Sequence, residues 1–290
     1  TQYRVNEQFK FLLGIRHEQH SKFGYEDLPR FGALVNVKPD TLFKISHGKH
    51  FNAPTMNDLY WPDDGFMRGN PDLEPETGWH TDTSIEHTCW DDRVFFSLTY
   101  FDWSIDKKIS WAENPNFPTA FPGFNYWTPS NVDQYEATGW ETGLTVTPHD
   151  NWRLSLSYTY TDAYELKAGS VKRQAQYTPN NTFKGTVKYT HDSGLLLTGI
   201  ARFTGDRPAH YQTAASDTPQ FTLESYWTAD LLAEKRFLEN WLISLEAANI
   251  FDKEYETYMA NFRDQDAGVT SRVGYPGAGR SLFFKLTYEH

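Results

Sequence analysis

Residues 152 to 161 read WRLSLSYTYT. Trp152, Leu154, Leu156, Tyr158 and Tyr160 fall on one side of an extended chain, with Arg153, Ser155, Ser157, Thr159 and Thr161 on the other. Only a strand with one apolar and one wet face has that period. Less perfect copies occur at FKFLLGIRHE (9–18), RVFFSLTY (93–100), FKGTVKYT (183–190), LLLTGIARFT (195–204), WLISLEAAN (241–249) and SLFFKLTYEH (281–290), the last with Phe283 as the one exception.

Together these runs predict about twelve strands, at 7–19, 29–38, 41–50, 76–90, 93–112, 125–148, 151–164, 180–192, 194–206, 221–237, 240–256 and 279–290. Most are about ten residues or longer, which is what a tilted membrane-spanning strand needs, whereas strands of soluble proteins average about five or six. The links alternate. Short ones (KPD, DD, HD, DS, EN) follow the second, fourth, sixth, eighth and tenth strands. Long ones lie at 51–75, 113–124, 165–179, 207–220 and 257–278, with a first, shorter one near 20–28. Turns at one end and loops at the other is the layout of an antiparallel transmembrane β-barrel.

Composition agrees. The mean hydropathy is −0.66, yet 17% of the 290 residues are aromatic, as expected where girdles flank a lipid band around a wet interior. No run approaches the ~18 apolar residues of a spanning helix. The charge of −11, with 27 basic and 38 acidic residues spread along the chain, excludes nucleic acid as a partner. Cys89 is alone and forms no disulfide within the chain; it is expected to pack as a small strand side chain.

Four segments then resemble one family in the right order. FNAPT (51–55), followed after Met56 by NDLYWPDDGFMRGNPDLEPET (57–77), is similar to the paired box of TonB-dependent outer-membrane receptors. NIFDKEYE (249–256) resembles their strand ending, GYPGAGRSLFFKLTYEH (274–290) their closing strand, and YEATGWETGLTV (135–146) a strand directed at the periplasm. The resemblance covers essentially the whole chain. It implies a bacterial outer-membrane receptor in which a plug fills a barrel of about 22 strands and an inner-membrane TonB complex drives uptake. Residues 1–290 then correspond to the C-terminal portion of the barrel, with no plug domain in this chain. The partners implied are the plug and N-terminal barrel half, the TonB complex through that plug, outer-membrane lipid and a metal-chelate ligand. The ending Tyr288, Glu289, His290 departs from the aromatic terminus common in the family.

The resemblance places ligand contacts in the external loops. Candidates are Tyr60, Trp61, Asp63, Asp64 and Phe66 in the first long loop, Phe117, Phe121, Phe124, Tyr126 and Trp127 in the second, and His210 and Tyr211 in a third. Clustered aromatics suit a large ring-bearing ligand such as a ferric siderophore or cobalamin. Haem is an alternative, weakened because no His lies between His50 and His80. Two acids fall short of the six to eight oxygens calcium takes, so Asp63 and Asp64 are expected to be solvated or paired with Lys or Arg. No metal site, cofactor or catalytic residue is expected. A self-contained twelve-stranded pore or phospholipase is the remaining alternative; the latter needs a Ser, a His and an Asn aligned on the outer wall, and no nucleophile motif stands near His17, His47 or His87. By parity Lys10, Arg16, Glu141, Arg153, Lys184, Lys188, Arg202 and Glu246 face the lumen.

Overall fold

Period-two patterning calls for long strands, and the computed structural model, which describes residues 2–114, 117, 126–131, 134–166, 171–211, 219–237, 240–264 and 269–288, joins twelve strands of eight residues or more in its main sheet. They are β1 (Phe9–His20), β2 (Gly24–Lys38), β3 (Thr41–Asn52), β4 (Glu76–Cys89), β5 (Val94–Asp106), β6 (Gln134–His149), β7 (Trp152–Leu166), β8 (Asn181–Thr190), β9 (Leu195–Thr204), β10 (Tyr226–Phe237), β11 (Trp241–Ala248) and β12 (Ser281–Tyr288). Each pairs antiparallel with the next in one continuous sheet. Gln2–Arg4 adds a short strand beside β1, and Arg173–Gln174 one beside β7. Among the described residues no pairing joins β1 to β12, so the sheet is open. No described helix is long and apolar enough to cross a membrane.

Cross-strand register turns the alternation of single strands into two continuous surfaces. On the outer face Val35, Phe43, Ile85 and Leu98 line up across four strands, as do Leu197, Ala233, Leu245 and Phe284 across four others. Rings gather where this band ends. At the turn end Trp152 packs on Tyr189 (4.6 Å between centroids) and Trp241 on Tyr288 (4.9 Å); at the loop end Tyr100 packs on Trp140 (4.8 Å) and Phe203 on Trp227 (4.8 Å). Trp152 and Tyr160, eight residues apart on β7, are about 26 Å apart along the strand at ~3.3 Å per residue. That is the order of the apolar band between aromatic girdles.

The inner face carries the expected Lys10, Arg16, Glu141, Arg153, Lys184, Lys188, Arg202 and Glu246. Phe283, the exception in the last run, also lies there, opposite Glu246. Cys89 ends β4 and is exposed rather than packed.

Turns occupy 39–40, 90–93, 150–151 and 191–194, and the long links lie at the other end, as the sequence requires. Several strand limits differ, each for a local reason. β2 begins at Gly24, whose φ of +77° makes a tight turn, so the first link is only 21–23. Pro29 sits inside β2 opposite Ile15 of β1, one residue before the pairing with β3 starts at Arg30, so on that side its missing N–H faces no ladder. β5 stops at Asp106 because Lys107 adopts φ +56°. What reads as its continuation, Ile109–Glu113, forms a separate hairpin with Trp127–Asn131. β11 stops at Ala248 because Asn249 has φ +47°, and the run from 221 splits into Pro219–Leu223, which pairs with Arg207–Tyr211, and β10.

Candidate functional site

The first long loop holds one short helix, α1 (Met56–Tyr60). Thr55 caps it: the Asp58 amide donates to the Thr55 hydroxyl (3.1 Å), and the Thr55 amide donates to the Asp58 carboxylate (2.9 Å). Such reciprocal capping suits a helix too short to hold itself. Both halves of the box then meet. The Asn70 amide donates to the Asp58 carbonyl (2.7 Å) and the Gly69 amide to the Trp61 carbonyl (2.9 Å). A Cβ at Gly69 would lie 2.6 Å from the Tyr60 and Trp61 nitrogens, so only glycine lets these backbones touch. Leu59 and Leu73 are buried beneath.

The same box fastens the second loop. Trp111 donates its indole N–H to the Asp58 carboxylate (2.8 Å), Asn70 its side-chain N–H to the Pro129 carbonyl (3.2 Å), and Ile109 its amide to Glu76 (2.7 Å). Asn131 exchanges hydrogen bonds with the Glu74 backbone (3.0 and 2.9 Å), beside a Lys107–Glu74 ion pair at 2.6 Å. Burial pushes the Asp58 carboxyl up, but its bonds from Thr55 and Trp111 outweigh that and hold it below the ordinary value.

On this frame stand most of the candidate residues. Tyr60 and Trp61 are exposed on α1 and just past it. Phe66 accepts the Trp127 amide on its carbonyl (2.8 Å), and Arg68 donates its amide to the Trp127 carbonyl (3.2 Å). Phe117 lies between the Arg68 guanidinium, 4.1 Å from its ring, and Tyr126, 5.4 Å between centroids. Tyr126 is buried, and that burial, with the Asp63 carboxylate nearby, pushes its hydroxyl up to about 12. Asp63 and Asp64 are exposed to solvent, as expected. They build the turn instead of pairing with Lys or Arg: Asp63 accepts the Gly65 amide (3.0 Å), and Asp64 accepts those of Phe66 and Met67 (2.9 Å each). The Met67 and Phe66 amides hold the Asp64 carboxyl low. Among the described residues no cluster of His, Cys, Asp and Glu could hold a metal ion.

Phe121 and Phe124 lie outside the described residues. His210 and Tyr211 fall in Arg207–Tyr211, part of a second loop cluster. There Ala209, Leu223 and Met259 form a buried core with Tyr177 and Phe221 packed on it, and Tyr177 donates its hydroxyl to the Met259 carbonyl (3.1 Å). Its base is a knot of two motifs. Asn249 donates to the carbonyls of Lys253 (3.0 Å) and Ala278 (3.1 Å), and Asp252 accepts the Arg280 amide (2.8 Å).

Sequence reading missed two cations beside the candidate rings. Arg68 sits inside the box, and Lys22, in the link 21–23, lies 5.4 Å from the Tyr60 ring. Nothing local marks Lys22, because its ring partner is distant along the chain.

Residues 1–250 match the family described as TonB dependent receptor-like, beta-barrel. The chain belongs to this family. Relatives of this TonB-dependent receptor include the vitamin B12 transporter BtuB of Photobacterium profundum, 28% identical over 283 residues, covering 92% of this chain and 41% of that protein. Another is the iron-regulated outer membrane virulence protein of Vibrio cholerae, 26% identical over 265 residues, covering 87% of this chain and 40% of that protein. The fold is similar to that of the ferric enterobactin receptor (PfeA) of Pseudomonas aeruginosa, solved with enterobactin, at a TM-score of 0.77 and 20% identity over 99% of this chain and 44% of that one. This receptor chain thus spans about two fifths of the length of these relatives, and its place is the outer membrane.

The strand histidines His17, His47 and His87 each bond a partner other than serine. His17 bonds Asp27 (2.7 Å), His47 bonds the Thr81 hydroxyl (2.9 Å), and His87 bonds the Thr41 hydroxyl (2.9 Å).

Proposed function

We propose that this chain is the C-terminal portion of an energy-coupled outer-membrane receptor barrel, and that its loops bind an incoming metal chelate, a ferric siderophore or cobalamin. The rest of the receptor supplies the plug and the other barrel half, and the TonB complex acts through that plug. The chain performs no chemistry; it offers a rigid, ring-bearing outer surface. One observation carries this reading. The paired box clamps two long loops together, with Tyr60 and Trp61 exposed and Phe117 held between Arg68 and Tyr126. Exposed rings held on a fixed frame bind large flat or ring-bearing ligands with little ordering cost.

Titration of the complete receptor with cobalamin and with ferric siderophores tests it. Binding of one of them, weakened by Trp61→Ala and Tyr60→Ala, is expected. Binding of neither would overturn the reading.

A further inference from the structure

Four inner-face cations on three adjacent strands occupy positions that sheets avoid. Arg153 on β7 lies directly opposite Lys188 on β8, and Lys184 on β8 directly opposite Arg202 on β9. Like charges in that relation destabilise a sheet. Asp230 neutralises Arg202. Among the described residues no carboxylate comes within 4 Å of Arg153, Lys184 or Lys188. The carboxylate bordering them, Glu234 on β10, accepts a hydrogen bond from Ser244 (3.2 Å). Hydroxyls of Ser155, Thr186 and Thr198 complete a hollow of about 420 Å³. On the other side of the inner wall Lys44 pairs with Glu86 across β3 and β4. A bare cationic panel in a chain of charge −11 is a feature of placement, not of composition.

We propose that this panel seats a carboxylate-bearing face of the polypeptide that fills the barrel, holding the plug by charge. The proposal rests on the receptor reading above and adds which part of the wall grips the plug. Arg153 stands beside the turn at 150–151, at the end opposite the loops. The panel therefore begins far from the ring cluster and serves a different occupant. A resident segment relieves the cross-strand repulsion continuously, whereas a ligand in transit would leave it uncompensated between transport events.

The test uses the complete receptor in planar bilayers, with urea as the probe. In the Arg153→Glu/Lys184→Glu/Lys188→Glu variant the barrel is expected to assemble, shown by unchanged heat-dependent migration on gels, and to bind external ligand as before. Its lumen is expected to open, read as a conductance step, at a urea concentration where the parent stays closed. The milder Lys184→Gln/Lys188→Gln pair shifts the threshold in the same direction by less, and decides the question where the triple variant fails to assemble. An unchanged threshold in the variants that assemble overturns the seat. So does a loss of ferric-siderophore uptake with the threshold unmoved, which would give the panel to the passing ligand. A parent that conducts without urea would instead overturn the receptor reading on which the seat depends.

Discussion

Leu223, in the hairpin of Arg207–Tyr211 with Pro219–Leu223, and Met259, in that of Glu256–Asp264 with Val269–Pro276, are fully buried, whereas Leu282 and Ile15, on the strand wall, stand 79% and 70% exposed. A soluble β-protein inverts this, with strands dry and loops wet. Here the wall has few apolar partners within the chain beyond Ala175 packed on Ala137 and Ala163, because its outer face meets lipid and its inner face is largely hydroxyl-lined and charged. The loops must therefore build cores of their own, and among the described residues they do so around the paired box and around Met259. The wall depends on its surroundings for stability, and the loops depend on one another.

Four measurements sharpen or break that contrast. Met259→Ala should cost the second loop cluster about 2–5 kcal/mol, read as lost hydrogen-exchange protection in Arg207–Leu223 with β9 and β10 unaffected. Loss spread evenly through the wall would show that the loops have no separate core. Leu231→Arg, at mid-strand on the outer face, should destabilise the complete receptor by about 2–4 kcal/mol in lipid vesicles. A cost near zero there would remove the lipid from that face. Thr55→Ala should loosen α1 by about 1 kcal/mol and weaken ligand binding severalfold, with barrel stability unchanged. The smallest effect is acid loosening of the box. The Asp58 carboxyl is held below its ordinary value of 3.8. Its contribution is therefore present above that pH and is lost as pH falls through the lower folded value. Exchange of the Asn70 amide should rise in that window, and in Asp58→Asn the rise should be absent.

Alternation alone made the wall legible: the run predicted at 151–164 around WRLSLSYTYT is β7 to within two residues, and the twelve strands and the turn spacing follow. The loop hairpins were not legible, because Ile109–Glu113 keeps the same period as the strand before it. Only the positive φ at Lys107 separates the two, and a lysine does not announce that conformation. The box motif located the first two loops, yet it did not say that its own Asp58 would accept the Trp111 indole. That contact joins residues 53 apart in the chain, and local spacing carries no trace of it. Asp63 and Asp64 were legible as solvated loop acids but not as turn builders, a role they take because backbone amides two and three residues on reach them.

The knot of Asn249 and Asp252 with Ala278 and Arg280 changes what the long segment between β11 and β12 is to the rest of the barrel. Because its base is tied, the strands meet as if joined by a tight turn, whatever the chain does beyond. Closing a longer excursion there costs only about 0.6 kcal/mol per doubling of length. Residues 254–276 are thus a replaceable module: a different hairpin could be grafted onto the knot, giving the receptor a new outer surface with the register of β11 and β12 intact.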